Sequence, residues 1–130
     1  MTTSGHVRQR AIAADRAAYV LLGLAAAISA VTVGGLSWQL WVFAVAPDLP
    51  LLAGGGRGLR PGQLHPRAVP FYNATHHLAG PLVLTVLGAW SLGTTGGPSA
   101  LVAGTAWLAH VAFDRAAGYR LRNRAGFRRS

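Results

Sequence analysis

The stretch "TAWLAHVAFDRAAGYR" (Thr105–Arg120) combines an apolar helical run with two ionisable side chains. Asp114 follows His110 by four residues, so both side chains lie on one face of a helix. Acidic residues are scarce in this chain, which contains only three. An ionisable residue in an apolar helix needs a partner and marks a candidate functional site. The segment therefore predicts a lipid-embedded or buried helix that carries part of a polar site.

The overall composition is typical of a membrane protein. Hydrophobic residues make up 52% of the chain and charged residues only 12%, whereas a soluble domain carries about 25% charged residues. There is no cysteine, so disulfides and thiolate metal sites are excluded. The length of 130 residues is that of a single domain.

Two long stretches of the chain carry no charged side chain, at 17–47 and 68–113. A glycine-rich break divides each of them, "VGGLSW" at 33–38 and "SLGTTGGPS" at 91–99. A membrane-spanning helix needs about 20 residues, so each stretch provides two spans. We predict an all-α, four-helix transmembrane bundle in a single membrane domain, with spans at about 17–33, 36–53, 69–92 and 98–118 and a basic tail at 119–130.

The positions of the basic residues, all of them arginines, agree with this four-span topology. They are Arg8, Arg10 and Arg16, then Arg57, Arg60 and Arg67, and finally Arg115, Arg120, Arg122, Arg124, Arg128 and Arg129. Three basic segments thus fall on one side of the bilayer and two uncharged turns on the other. The positive-inside rule then places both termini in the cytoplasm. The arginines form no aromatic-interleaved face for nucleic acid, and their expected partners are the bilayer and its anionic headgroups.

With this topology, the ionisable side chains of three spans lie at one depth, near the cytoplasmic leaflet. Asp48 lies toward the end of the second span and His76 near the start of the third. His110 and Asp114 lie near the end of the fourth. Asp48 stands in "APDLP", where two prolines predict a bent or broken helix. Such a break is tolerated in a membrane where the freed groups face protein or a cavity.

Two imidazoles and two carboxylates form a donor set that suits a divalent zinc, iron or manganese ion. We therefore predict a metal site at Asp48, His76, His110 and Asp114. Four further residues are expected to support it, namely Tyr72, Asn73, Arg115 and Tyr119. Asp114 could instead accept a proton from His110 and orient its imidazole without binding the metal itself. A cluster of hydrogen bonds that only holds the helices together is the competing interpretation.

Three blocks of this chain resemble the signatures of small bacterial membrane proteins grouped as domain-of-unknown-function family 4260. These blocks are "WVFAVAPDL" (41–49), "FYNATHHLAGP" (71–81) and "WLAHVAFDRAAGY" (107–119). The resemblance extends over about 16–127 and implies a four-helix protein of the bacterial inner membrane. It implies no established activity.

Three functional hypotheses follow from the residues. The first is a membrane-embedded hydrolase in which a bound metal activates water and Arg115 holds an anionic headgroup. The second is a structural or partner-binding membrane module. The third, a proton or ion pathway, is disfavoured because the polar residues gather at one face. Substrate and oligomeric state have no signal in the sequence.

Overall fold

The computed structural model describes residues 3–94 and 96–129, and within these residues every regular element is helical. The elements are α1 (Thr3–Gly34), α2 (Trp38–Val45), α3 (Leu49–Leu52), α4 (Val69–Thr75), α5 (Ala79–Gly93) and α6 (Ser99–Ala117), with a 3₁₀ turn at Ala46–Asp48 between α2 and α3. The prediction of an all-α protein is confirmed.

Helix α6 is the centre of the molecule. It packs against α1, α5 and α2, while these three helices make fewer contacts with one another. Its buried residues face several directions and are mostly small: Val102, Ala103, Gly104, Thr105, Ala106, Leu108, Ala109, Val111 and Ala112. Small side chains allow the surrounding helices to approach the α6 backbone closely.

The closest helix contact joins α5 and α6 through two glycines. A Cβ atom on Gly104 would lie 2.5 Å from the backbone nitrogen of Thr85, and one on Gly88 would overlap the backbone of Leu101. Real Cβ atoms do not approach backbone atoms this closely. Glycine at these two positions therefore sets the distance between α5 and α6.

Large apolar side chains cover the outside of the bundle. On α5, Val86 is 67% exposed and Trp90 is 70% exposed. On α1, Leu21 and Ile28 are equally prominent, while the buried positions Ala26 and Ala30 are alanines. A water-soluble helical protein has the opposite arrangement, because the hydrophobic effect places large apolar side chains inside.

One helix, α1, is long and apolar enough over Ser4–Gly34 to cross a membrane by itself. The apolar segment Trp38–Leu52 is shorter than this criterion requires. Helix α1 begins at Thr3, before the predicted span at about 17–33, because no proline interrupts the polar segment that precedes the apolar one.

Two of the predicted helices are interrupted. The helix predicted over 36–53 breaks at the 3₁₀ turn Ala46–Asp48, where Pro47 and Pro50 cannot donate backbone hydrogen bonds. The helix predicted over 69–92 breaks between α4 and α5, because Pro81 cannot donate to the carbonyl of His77. The helix predicted over 98–118 matches α6 within one residue at each end.

The basic tail predicted at 119–130 folds back on the molecule as far as residue 129. Gly118 ends α6 in the left-handed conformation with φ of 91°. The backbone nitrogen of Tyr119 then donates to the carbonyl of Asp114 at 2.8 Å, a pairing typical of a glycine-terminated helix. Residues 121–129 form a hairpin in which the backbones of Arg122 and Arg128 make a single antiparallel bridge. Gly126 of this hairpin accepts a hydrogen bond from Leu64 N at 2.9 Å, which joins it to the α3–α4 loop.

We predict that Gly104→Ala destabilises the fold by about 1–3 kcal/mol, because the added methyl group overpacks the α5–α6 contact. The midpoint of thermal unfolding in detergent measures this effect. Gly93→Ala is the matched control, since a Cβ atom at Gly93 meets no atom within 4 Å. Equal unfolding midpoints for the two variants would contradict the close-contact interpretation.

Candidate metal centre

Four donor atoms from three segments converge at one point. The Nε2 atom of His76 lies 3.3 Å from Asp48 Oδ1 and 3.2 Å from Asp114 Oδ2. The Nε2 atom of His110 lies 3.5 Å and 3.7 Å from the same two oxygens. The two Nε2 atoms are 3.4 Å apart. The structure thus brings together the four residues predicted from the sequence as metal donors, and they could hold a metal ion.

The separations between these atoms are those of donors around a single ion. Five of the six run from 3.2 to 3.7 Å. The sixth, between the two carboxylate oxygens, is at most 4.8 Å. Metal–donor bonds of about 2.0–2.2 Å place neighbouring donors about 3.0–3.6 Å apart. Each of the five pairs is therefore close to the distance at which both atoms bind one ion.

Backbone carbonyl groups determine which nitrogen of each imidazole carries the proton. His110 Nδ1 lies 2.7 Å from the carbonyl oxygen of Ala44, and His76 Nδ1 lies 3.0 Å from that of Tyr72. A carbonyl oxygen can only accept, so each Nδ1 must carry the proton and donate it. In the neutral imidazole, Nε2 then has no proton. Both Nε2 lone pairs therefore point at the carboxylates.

The helix breaks described above position two of the four residues. Asp48 ends the 3₁₀ turn after α2, and His76 follows α4 directly. The hydroxyl group of Thr75 lies 2.9 Å from the carbonyl oxygen of Pro47, a hydrogen bond that ties the two breaks together. Trp107 of α6 donates from Nε1 to the carbonyl of Thr75 at 2.6 Å. The broken segments are thus held against the central helix.

The four residues predicted to support the site lie around it in different ways. The ring of Tyr72 stacks on that of His76 with centroids 4.0 Å apart. Arg115 donates from Nη2 to the backbone carbonyl of His76 at 3.1 Å, so it supports the end of α4. Tyr119 is half exposed and lines a cavity beside the carboxylates.

Asn73, the fourth of these residues, acts on the tail hairpin rather than on the donors. Its side-chain nitrogen donates to the carbonyl of Arg122 at 2.9 Å, and its side-chain oxygen accepts from the Arg122 backbone nitrogen at 2.7 Å. This double hydrogen bond fixes the hairpin beside the cluster.

Arg122 is a residue of this region that sequence reasoning did not identify. Its guanidinium carbon lies 5.5 Å from the centre of the Tyr72 ring, within the range of a cation–π contact. It also lines the cavity shared by Asp48, Asp114 and Tyr119. In the sequence it is one of six arginines in or near the tail, and no spacing distinguishes it from the others.

One side of the cluster is open. The side chain of Asp48 is 44% exposed and that of Asp114 is 25% exposed, whereas that of His76 is only 4% exposed. A cavity of about 240 Å³ lies against the two carboxylates. Its walls are Asp48, Leu51, Tyr72, Asp114, Tyr119 and Arg122. A molecule could therefore reach the cluster from the hairpin side.

Comparison with known proteins gives one match. A family model described as a domain of unknown function (DUF4260) matches residues 12–130, nearly the whole chain. No curated protein and no solved structure matches the chain.

We predict that Asn73→Ala releases the hairpin, because it removes both hydrogen bonds to the Arg122 backbone. Loss of about 1.4 kcal/mol or more would speed exchange of the Arg122 amide at least tenfold, measured by hydrogen–deuterium exchange. Gln39→Ala is the control. Gln39 donates a side-chain hydrogen bond to Ser99 Oγ at 3.0 Å, but in another part of the bundle. Unchanged exchange at Arg122 in Asn73→Ala would contradict this role.

Proposed function

The chain belongs to the DUF4260 family, and we propose that it is an integral membrane protein whose function depends on a divalent metal bound by Asp48, His76, His110 and Asp114. The observation that carries this proposal is the convergence of four hydrogen-bond acceptors. With both imidazoles neutral and protonated at Nδ1, their Nε2 atoms and two carboxylate oxygens face one another with no donor among them. A cation at their centre removes the repulsion between these atoms.

The charge of the centre supports a divalent ion. Two ionised aspartates beside an apolar bundle carry two negative charges, and that of Asp114, whose side chain is 25% exposed, is costly unless it is compensated. A divalent cation balances them, and two neutral histidines complete the set without adding charge. The Nδ1–carbonyl hydrogen bonds of His76 and His110 are also the usual second contact of metal-bound imidazoles.

Zinc is the ion that the proposal favours among zinc, iron and manganese. Zinc binds mixed sets of imidazole nitrogens and carboxylate oxygens, and two of the four donors here are imidazoles. Manganese prefers more oxygen donors and a larger coordination number.

The membrane setting is supported by the surface and by the arginines. Small residues in the core and large apolar residues outside are the arrangement expected for helices in lipid, where close packing drives association. Asp15 of α1 pairs with Arg120 of the tail at 3.3 Å, and Arg122 donates to the carbonyl of Gly62 in the α3–α4 loop at 2.7 Å. The tail therefore contacts both of the other basic segments.

We accordingly propose four spans, with both termini on the cytoplasmic side of the bacterial inner membrane. The exposed arginines would contact anionic headgroups there.

A metal-dependent hydrolase is the second candidate, and the open side of the cluster favours it. A metal-bound water facing the cavity would have its pKa lowered to about 7. In this candidate Asp48, whose side chain is the most exposed of the four, would be the base rather than a metal donor, which would leave a coordination position for the water. Arg122, rather than the expected Arg115, is the cation that faces the same cavity. A structural cluster held by protonated histidines would need no such cavity.

We predict one divalent ion per chain in purified wild-type protein, measured by elemental analysis after dialysis. His110→Ala should lower metal affinity by at least about tenfold, since it removes a donor. His77→Ala is the matched control because His77 is exposed and lies outside the cluster.

Asp114→Asn should have the same effect as His110→Ala, with Asp15→Asn as its control. Folded wild-type protein without metal would contradict the proposal. So would equal metal content in His110→Ala and His77→Ala.

We predict opposite labelling of the two ends of the bundle by a membrane-impermeant maleimide. The chain has no cysteine, and Gly55 and Gly97 both have open space where a side chain would stand. Gly97→Cys should be labelled from outside the inner membrane and Gly55→Cys only after lysis. Labelling of Gly55→Cys in spheroplasts would overturn the proposed topology.

A further inference from the structure

We propose that the metal centre binds a single-chain amphiphile with an anionic phosphate head. The chain would lie in a crevice between α1 and α2, and the head would lie in the cavity beneath the tail hairpin. This inference rests on the proposed function, because the metal stands between the two spaces, and it names the class of molecule that the centre receives.

The crevice is an apolar space of about 320 Å³ between α1 and α2. Both helices pack on α6 but contact each other only sparsely. Its lining is mostly alanine and ends at two metal donors: Ala27, Ala30, Val31, Leu40, Ala44, Ala106, Ala109, His110, Phe113 and Asp114. A chain that enters from the apolar surface therefore meets no polar group before His110 and Asp114.

The opening of this crevice lies on the lipid-facing surface of the proposed bundle. Val31 and Phe113 are exposed at its edge. The surrounding exterior is apolar along both helices, with Ile28 and Trp41 also exposed. An acyl or alkyl chain would enter it without leaving an apolar environment, so entry requires little desolvation.

The hairpin cavity has the opposite character, because charged and phenolic side chains face it. Arg122 Nε is shielded from solvent and has no hydrogen-bond partner within the described residues. Its Nη1 donates to the carbonyl of Gly62 at 2.7 Å, which holds the guanidinium in place. Because Arg122 also lines the cavity, this fixed guanidinium is suited to an oxyanion there. Tyr119 adds a phenol at the same wall.

The ion pairs of the three acidic side chains favour an anion in this cavity. Each of the three acidic side chains already has a partner, since Asp15 pairs with Arg120 and both Asp48 and Asp114 face the histidines. Arg122 consequently has no carboxylate partner among the residues that the structure describes. With a divalent ion balancing the two aspartates, the positive charge of Arg122 is left for a ligand.

Asp114 joins the two spaces, because it lines both the crevice and the cavity. An amphiphile could thus place its chain on one side of the metal and its phosphate on the other, with the bond between them at the metal. A free phosphate ion would fill only the cavity.

The first test is photolabelling with a diazirine-bearing dodecyl phosphate, in phosphatidylcholine nanodiscs that hold the full-length protein. We expect cross-links to the crevice residues of α1 and α6. Ala27→Trp should reduce this labelling at least tenfold, because the indole fills the crevice. Ala25→Trp is the matched control, since Ala25 lies two residues away on the exposed face of α1. Equal labelling of the two variants would overturn the crevice assignment.

The second test concerns the head. Arg122→Gln should weaken binding of the phosphate probe at least tenfold relative to Arg124→Gln, whereas binding of dodecanol should be equal in the two. Arg122→Lys retains the positive charge and should recover part of the affinity, which separates lost charge from a disturbed hairpin. Phosphate binding unaffected by Arg122→Gln would overturn the head assignment.

Competition by inorganic phosphate distinguishes the two sources of the anion. We expect weak competition, because the chain contributes to binding. Competition as strong as that of unlabelled dodecyl phosphate would overturn the amphiphile proposal in favour of a free anion. Metal content is measured on the same samples. Suppose that the wild type contains no metal but is still labelled in the crevice, and that Ala27→Trp removes this labelling. That result would contradict the proposed metal function and leave the crevice assignment standing.

Discussion

Two imidazole rings are held so that their Nε2 atoms face two carboxylates, and the rest of the structure serves that arrangement. Each Nδ1 is tied to a backbone carbonyl, of Ala44 for His110 and of Tyr72 for His76. Ala44 lies near the end of α2 and Tyr72 near the end of α4, and Asp48 and His76 follow these helices at the breaks. A single central helix, α6, then supplies the remaining histidine and aspartate one turn apart.

The apolar surroundings make this arrangement demanding. A bundle with alanine and glycine at its centre and leucine, valine and tryptophan outside has few polar groups with which to stabilise an isolated charge. The donor set therefore needs a neutral total, which a divalent ion provides, or protons on both rings. The close α5–α6 contact at Gly88 and Gly104 fixes the central helix against its neighbour, so the donors on α6 are presented from a rigid support.

Much of the candidate site could be predicted from the sequence because its information is local. The four-residue interval between His110 and Asp114 places both on one helical face, and the two prolines around Asp48 predict the break where it stands. Pro81 likewise predicts a loosened helix just after His76 and His77, because it leaves the carbonyl of His77 without its helical donor. The contact of His110 with the carbonyl of Ala44 had no such local signal, since it joins α6 to α2. The part played by Arg122 had no local signal, because it depends on the long-range pairing of its backbone with Asn73.

The separation of the donors along the chain bears on how the protein matures. His110 lies 34 residues after His76, and Asp48 precedes both on yet another segment. None of these segments alone offers more than two donors, so no competent site exists while the chain is still emerging from the ribosome. On the proposed metal function and topology, metal uptake would follow insertion of the last helix, and the ion would close two long loops whose conformational freedom it removes. Loading with metal would thus act as the final step of biogenesis, and a supply from the cytoplasm would reach the centre only in fully inserted molecules.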